Sequence, residues 1–304
     1  MKKFHLAWLP VLFACFGTVH AQEPADKIFR NGTILTMDAQ DRTAEAVAVR
    51  QGRILLAGSE AEVRKLTGPN TVRVDLQGRV MLPGLYATHD HFPSAGTVAL
   101  FLVDLNSPPV GTMRSIDDIV AALRARAAQT PPGKWVEGRG YDDTLLREQR
   151  HPTRDDLDRV STNHPIWIVH TSGHLGVANS RALALARITK NTPQPNSGVI
   201  RKDPVTGEPN GVFEESGSQV SRHIPALSPE QKLKAIEWCD RHYLSKGVTT
   251  TVIAGGGRAS IQNLVTARER GLLHLRVVAM MSIGTETPAS PVEAAKLSPD
   301  PEWI

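Results

Sequence analysis

Cysteine is scarce in this chain: Cys15 and Cys239 are the only two among 304 residues. So few cysteines exclude the disulfide-dense frameworks that hold small secreted domains together, and the fold must depend on a hydrophobic core. Cys239 lies in "KAIEWCDRHYL", whose apolar spacing predicts an amphipathic helix. A small buried apolar side chain is therefore a better interpretation of Cys239 than a nucleophile.

Long hydrophobic runs and strong net charge are also missing. The N-terminal run "LAWLPVLFACFG" follows the basic start "MKK" and is too short to span a bilayer comfortably. With "VHA" before Gln22, it has the pattern of an export signal over residues 1–21, which predicts a periplasmic or secreted protein without stable membrane association. The formal net charge is +4, and no cluster of Lys and Arg indicates a nucleic-acid-binding face.

The rest of the chain has two regions that differ in their predicted secondary structure. Residues 22–80 contain short strand-like runs with turn signals at "NG" and at two "QG" pairs, which predicts a small antiparallel sheet or a half-sandwich. In residues 81–304, strand-like runs such as "PIWIVHTSG" alternate with helical stretches such as "SPEQKLKAIEWCDRHYLSKG". Such alternation is typical of parallel α/β architecture, so we expect a β-rich segment followed by an α/β domain.

The most informative short stretch is "PGLYATHDHF", in which His89 and His91 flank Asp90 after an apolar run. Residues i and i+2 of a strand point to the same side, so the two imidazoles would project together. Paired imidazoles suit one metal ion, and barrel enzymes place such groups at the C-terminal ends of strands. Two incidental loop histidines would give the same spacing, so the pair alone leaves both interpretations open.

Four further motifs follow "VDLQGRVMLPGLYATHDHF" along the chain. They are "GRGYDD" (138–143), "SGHLGVANSRAL" (172–183), "TPQPNSGVIRKDPVTGEPNGVFEE" (192–215) and "GVTT" (247–250). In this order the motifs resemble the amidohydrolase superfamily, and more specifically its exoenzyme-type branch related to N-substituted formamide deformylases. The resemblance covers essentially residues 26–304.

This resemblance implies an α/β fold of the TIM type, a (β/α)8 barrel that holds one or two divalent metal ions, usually zinc. A metal-activated water would cleave a non-peptide carbon–nitrogen bond of a small molecule. His89 and His91 match the two metal ligands of the first barrel strand. The resemblance also suggests a place near the substrate for His174, although a strand-end histidine bonded to a loop carbonyl is an equally good interpretation.

Further candidates lie near the ends of predicted strands. Arg139, Tyr141 and Asp142 are expected at the substrate pocket, where Asp142 and Asp143 form a carboxylate pair that could orient the substrate. For this pair a capping role, with Asp143 turning the chain, is an equally economical interpretation. His170, inside "IWIVH", is expected in the barrel interior or behind the ligands rather than on the metal. His151 is expected in a solvated loop.

Two features depart from the family pattern. Ala87 stands where the family usually has an aspartate two residues before the first metal histidine, and such a partner would orient the imidazoles. The chain also reaches "SPDPEWI" without the lysine, histidines and aspartate that complete the family's metal site. We therefore expect the N-terminal part of a longer enzyme, with an incomplete barrel.

Several alternatives to an amide hydrolase stay open at this level. The chain could be a truncated, non-catalytic remnant, or an ester or lactone hydrolase that uses the same chemistry. A solute-binding protein fits the α/β alternation but not the ordered motifs. Loops after the strands set specificity in barrels, so the sequence leaves the substrate open, together with the metal's identity and a homo-oligomeric state.

Overall fold

A computed structural model describes residues 23–281, residue 296 and residues 303–304, so the predicted export signal lies outside the described residues. The chain divides into two compact units, one up to Gly84 and one from Leu85 onward. This division falls a few residues beyond the predicted boundary at residue 80. Within the described residues, no helix combines the length and the apolar character needed to cross a membrane.

The first unit consists almost entirely of short strands. It contains β1 (Lys27–Arg30), β2 (Thr33–Leu35), β3 (Thr43–Ala44), β4 (Ala46–Arg50), β5 (Arg53–Gly58), α1 (Glu60–Arg64), β6 (Val72–Asp75) and β7 (Val80–Met81). These strands form a four-stranded sheet in the order β5-β4-β1-β6 and a three-stranded sheet in the order β3-β2-β7. Ala46, Ala48 and Val63 are completely buried in the core between β4 and α1.

The expected antiparallel pairing is present in only part of this unit. β4 and β5 form the expected hairpin around Gln51 and Gly52, which both have the positive φ of a tight two-residue turn. The other two turn signals carry the chain from one sheet to the other, and β1 pairs in parallel with β6, as β2 does with β7. Turn residues predict that the chain reverses, but they do not specify which strands pair.

The second unit contains both helices and strands. Its elements are β8 (Leu85–Tyr86), α2 (Ser94–Phe101), β9 (Val103–Asp104), α3 (Ile116–Ala127), β10 (Val136–Tyr141), α4 (Arg154–Asp158), β11 (Ile166–His170), β12 (Leu175–Ala178), α5 (Ser180–Ala186), β13 (Val199–Lys202), β14 (Pro209–Glu214), α6 (Ser218–Ser221), α7 (Pro229–Leu244), β15 (Val248–Gly256), α8 (Arg258–Glu269) and β16 (Arg276–Met281). The described strands form a six-stranded sheet, β13-β14-β12-β11-β10-β9, and a three-stranded sheet, β16-β15-β8.

The six-stranded sheet has a parallel half and an antiparallel half. β9, β10 and β11 run parallel, and β12, β14 and β13 continue the sheet as antiparallel neighbours. One apolar cluster contains Ile119 and Leu123 of α3, and a second contains Trp167 and Phe213 with side chains of α5. Since β10 and β11 are parallel neighbours, the residues at their carboxyl ends come together at one edge of the sheet.

The three-stranded sheet is entirely parallel. β15 pairs with both β8 and β16, α7 packs against β15, and α8 packs against α7. α7 begins at Pro229, directly after Ser228, whose hydroxyl accepts a hydrogen bond from the Gln231 N–H in a capping box. Leu233 and Ile236 of this helix are buried in the apolar core of this part of the unit.

The α/β class is confirmed, but the expected single barrel sheet is not seen in residues 23–281. The sequence predicts that β8, β10, β11, β15 and β16 belong to one barrel, whereas the structure divides them between two sheets because β8 pairs with β15. Alternating strand and helix patterns indicate the order of elements, but hydrogen-bond partners depend on packing between distant segments. His89 and His91 therefore follow a strand of one sheet, and the other candidate site residues lie on the other sheet.

Candidate functional site

The paired histidines lie just beyond the C-terminal end of β8, which ends at Tyr86. Both His89 and His91 are exposed. Their ring centroids are 5.5 Å apart, and the rings are perpendicular. The Ala87 N–H donates to the Thr250 carbonyl at 2.9 Å, so the segment that leads into the pair is fixed to β15 by its backbone.

One ring nitrogen of His91 is oriented by the protein. His91 Nδ1 lies 3.2 Å from the carbonyl oxygen of Ala254, at the carboxyl end of β15. A carbonyl oxygen only accepts, so this contact places the proton on Nδ1 and leaves the lone pair of Nε2 for another partner. Metal-ligating histidines commonly donate their second ring N–H in this way.

Asp90 anchors the segment between the two rings. Its Oδ1 accepts from the His91 backbone N–H at 2.8 Å, and its Oδ2 accepts from the Thr251 hydroxyl at 2.7 Å. The Ala254 N–H also donates to the Asp90 carbonyl at 3.0 Å. These bonds direct Asp90 towards β15, so Asp90 does not replace the orienting aspartate that is absent at Ala87.

The spacing of the two rings fits a shared metal ion. Metal–nitrogen bonds of about 2.0–2.1 Å at tetrahedral angles would place two ligating imidazole centroids roughly 5 Å apart, close to the spacing found here. Among the described residues, no third Cys, His, Asp or Glu forms a metal-binding group with His89 and His91. The pair can therefore supply two ligands of a larger set.

A second cluster lies where β10 and β11 end. Ligand atoms of Asp142, Asp143 and His170 are all within 4.8 Å of one another. His170 Nε2 is 3.1 Å from Asp143 Oδ1 and 4.0 Å from Asp142 Oδ1. The side chains are 12%, 25% and 24% exposed for His170, Asp142 and Asp143. The sequence indicates Asp142 and His170 separately, but only the parallel pairing of β10 with β11 brings them together.

Thr144 fixes the carboxylate of Asp142. Both the Thr144 N–H and its hydroxyl donate to Asp142 Oδ1, at 3.0 Å and 2.7 Å. The hydroxyl bond is the main cause that lowers the pKa of Asp142, because it favours the charged form. The capping interpretation of this aspartate and its candidate role in binding are therefore compatible, since one oxygen serves the turn.

Tyr141 and His151 lie behind this cluster. The Tyr141 side chain is completely buried, and its hydroxyl is 3.3 Å from His151 Nδ1. The expected place of Tyr141 at the substrate pocket stays a prediction. The prediction of a solvated His151 is wrong: its side chain is 13% exposed, and Nδ1 lies 3.5 Å from Asp143 Oδ1.

Burial also governs the protonation of these two side chains. Burial raises the pKa of the Tyr141 hydroxyl, and the negative charge of Asp143 raises it further. Burial lowers the pKa of His151 and outweighs the nearby Asp143 carboxylate, which acts in the opposite direction. Both side chains are thus neutral near pH 7, and Asp143 remains flanked by imidazole nitrogens.

His174 and Arg139 lie near the same end of the six-stranded sheet. His174 Nδ1 is 2.9 Å from Glu215 Oε1, and the two side chains are 66% and 59% exposed. Glu215 holds a positive φ of 51°, and its N–H donates to the His174 carbonyl at 2.8 Å. The Arg139 guanidinium lies beside Gly173. The substrate-binding roles of His174, Arg139 and Asp142 stay predictions.

Parallel strands in both sheets of the second unit, alternating with helices, define an α/β protein, and the paired histidines after β8 give it a candidate metal site at a strand end. The family model described as "Amidohydrolase family" matches residues 73–302, and the chain belongs to this family. The resemblance of its ordered motifs to this superfamily is thereby confirmed.

The chain spans less than half the length of each of three longer relatives. N-substituted formamide deformylase of Arthrobacter pascens is 36% identical over 195 residues, which cover 64% of this chain and 35% of that protein. Putative amidohydrolase YtcJ of Bacillus subtilis is 32% identical over 224 residues, which cover 73% and 41%. An uncharacterized metal-dependent hydrolase from Pyrococcus horikoshii aligns with a TM-score of 0.60 at 23% identity, over 84% of this chain and 48% of its own. That likeness shows the fold alone.

Proposed function

We propose that the whole protein is a metal-dependent hydrolase that cleaves an amide-type carbon–nitrogen bond of a small molecule. The observation that carries this proposal is the pair of exposed imidazoles of His89 and His91, 5.5 Å apart after β8. Membership of the amidohydrolase family supports hydrolysis, and a relative named formamide deformylase favours a carbon–nitrogen bond. The matched part is 35% of that relative, so the proposal concerns the whole protein, to which these residues contribute two ligands.

The described residues have a definite share in this chemistry. A divalent metal, which we propose to be zinc, would supply Lewis acidity and an activated water for attack on the carbonyl carbon. His89 and His91 would hold the metal, and the bond from His91 Nδ1 to the Ala254 carbonyl keeps Nε2 ready as a ligand. Asp90 holds the segment between them to Thr251.

We further propose that the six-stranded sheet contributes substrate contacts. His174 is tied to Glu215 through Nδ1, which leaves its other ring nitrogen free to donate or accept a proton. Arg139 and Asp142 offer opposite charges near the ends of β10 and β11, suited to a polar substrate. Export to the periplasm or the medium is also part of the proposal, because residues 1–21 have the composition of a signal.

The test removes metal from the whole protein with a chelator and assays a panel of N-substituted formamides beside esters of the same size. We expect hydrolysis of the formamides to fall to the detection limit after chelation and to return when zinc is added. Preference for the esters would favour ester hydrolysis by the same chemistry. Full formamide hydrolysis by the metal-free protein would contradict the proposal.

A further inference from the structure

The ring nitrogen Nε2 of His170 is buried and has no hydrogen-bond partner within the described part of the chain. Two carboxylate oxygens nevertheless lie close to it, Asp143 Oδ1 at 3.1 Å and Asp142 Oδ1 at 4.0 Å. The shorter distance is within hydrogen-bond range, so the bond fails on direction and not on distance. The direction in which the Nε2 proton or lone pair points therefore does not run to the Asp143 oxygen.

Ligands of one metal ion show the same arrangement, in which neighbouring ligand atoms are close but do not point at one another. In a tetrahedral site with metal–ligand bonds of about 2.0–2.1 Å, neighbouring ligand atoms are roughly 3.3 Å apart, and each points at the ion rather than at its neighbour. The ligand atoms of Asp142, Asp143 and His170 lie within 4.8 Å of one another, so a modest contraction would bring them onto one ion. An unpaired buried imidazole nitrogen beside two carboxylates otherwise carries a cost of desolvation.

We propose that Asp142, Asp143 and His170 form a second divalent-metal site, separate from His89 and His91. It lies on the six-stranded sheet, whereas the paired histidines follow a strand of the three-stranded sheet. One imidazole and two carboxylates suit zinc or manganese better than calcium, which prefers oxygen ligands alone. The two carboxylates offset the charge of a dication.

The surroundings of the three ligands support this assignment. Asp142 is fixed by the N–H and hydroxyl of Thr144, and Asp143 lies 3.5 Å from His151 Nδ1. His170 Nδ1 is 2.8 Å from the Ser172 hydroxyl oxygen, which can accept a hydrogen bond from Nδ1–H when Nε2 binds metal. About a quarter of each carboxylate side chain is exposed, so an ion can enter from solvent.

The backbone N–H of Ser172 indicates which ring nitrogen of His170 carries the proton when no metal is bound. It donates to His170 Nδ1 at 3.1 Å, which requires the proton of a neutral ring to be on Nε2. In that form the Nε2 proton occupies the space between the carboxylates. Metal binding at Nε2 would require the other tautomer of the neutral ring, in which the ring proton is on Nδ1 and is donated to the serine hydroxyl, without net loss of a proton from the imidazole.

The test isolates the second site by removing the first one. Zinc and, separately, manganese are titrated calorimetrically into metal-free protein that carries His89→Gln and His91→Gln. We expect binding of about one equivalent of either or both metals, because the three ligands in the other sheet are intact. Adding His170→Gln should lower the affinity at least about tenfold.

Two further variants make the result decisive. Asp142→Asn, at a side chain one-quarter exposed, should lower the affinity as His170→Gln does and serves if the latter fails to fold. His223→Gln, at an exposed histidine outside both sites, should leave the affinity unchanged. The proposal is overturned if the His89→Gln/His91→Gln protein binds neither metal, or if Asp142→Asn and His170→Gln leave its affinity unchanged.

Discussion

The two histidine-containing clusters of the second unit are organised in opposite ways. His89 and His91 are exposed and come from one segment of three residues, and the His91 ring is oriented by one carbonyl contact. Asp142, Asp143 and His170 are mostly buried and come from the ends of two neighbouring parallel strands. The residues of the first cluster are therefore neighbours in the sequence. Those of the second come together only because β10 pairs with β11.

This difference determines which substitutions should weaken metal binding at each cluster. The histidine pair has two ligands among the described residues and needs further ligands to hold a metal firmly. The Asp142 cluster already has three ligand groups, supported by hydrogen bonds from Thr144 and contact with Ser172. We therefore expect substitutions around the pair to change metal binding there and catalysis, and substitutions of Asp142, Asp143 or His170 to change metal binding at the second cluster.

The largest effect should come from removing a ligand of the pair. His91→Gln is expected to lower kcat/KM of the whole protein for its best substrate by about a thousandfold or more, equivalent to roughly 4 kcal/mol of transition-state stabilisation. His223→Gln is the matched control and should retain wild-type kinetics, because His223 is exposed and outside both clusters. Wild-type kcat/KM in the His91 variant would remove the pair from the mechanism.

A smaller effect is expected beneath the three-stranded sheet. In Gly96→Ala the new β-carbon would meet the Ala235 carbonyl oxygen at 2.2 Å, and Cys239 Sγ at 3.0 Å, so α2 must move away from α7. Overpacking of this kind costs about 1–3 kcal/mol of unfolding free energy, although alanine usually favours a helix. Urea unfolding measures the loss.

The reactivity of the Cys239 thiol shows whether Gly96→Ala disturbs the contact between α2 and α7. Burial raises the pKa of Cys239 to about 12, so the wild-type thiol should resist a disulfide reagent at pH 8. The thiol in Gly96→Ala should react faster. Gly257→Ala, where the added methyl meets open space, should match the wild type in both stability and thiol reactivity. Equal thiol rates in all three proteins would contradict the predicted overpacking between α2 and α7.

A still smaller effect is expected from the hydroxyl that holds Asp90. Thr251 is completely buried, and Thr251→Val keeps its shape while depriving Asp90 Oδ2 of a donor. We expect a loss of about 1–2 kcal/mol in unfolding free energy and weaker metal binding at the histidine pair. Metal binding at Asp142 should not change. Thr266→Val, the same substitution on the exposed side of α8, should stay within about 0.5 kcal/mol.

The smallest effect concerns acid sensitivity of the loop between β13 and β14. Hydrogen bonds from the N–H and hydroxyl of Thr206 and the N–H of Val205 lower the pKa of Asp203. Its stabilising contribution is therefore present above the unfolded pKa of about 3.9 and is lost as the pH falls through the folded value. In the wild type, amide exchange protection of residues 203–208 should fall as the pH is lowered below about 4 and through the folded pKa of Asp203. In Asp203→Asn it should be low and pH-independent; an unchanged acid response would contradict this account.

Features that depend on neighbouring residues could be predicted from the sequence. Ser228 and Pro229 mark the start of α7, and the spacing of His89 and His91 indicates a metal-binding pair. The buried position of Cys239 is confirmed, because the apolar spacing of the helix places it on the inner face.

Features that depend on distant pairing could not be predicted in this way. β8 pairs with β15, more than 160 residues later, and no local pattern distinguishes that partner from β9. Tyr141 resembles a pocket residue at a strand end, but a bulge between Arg139 and Tyr141 accompanies its complete burial. His151 joins Asp143 only through the fold of the intervening loop.

The central claim is that His89 and His91 hold one metal ion, and anomalous diffraction tests it most directly. Crystals of the metal-free whole protein would be soaked in zinc, and data would be collected on both sides of the zinc absorption edge. The account predicts an anomalous peak between the two rings, about 2.0–2.1 Å from a nitrogen of each. A fully soaked crystal with zinc bound elsewhere and no peak between these two rings would contradict it.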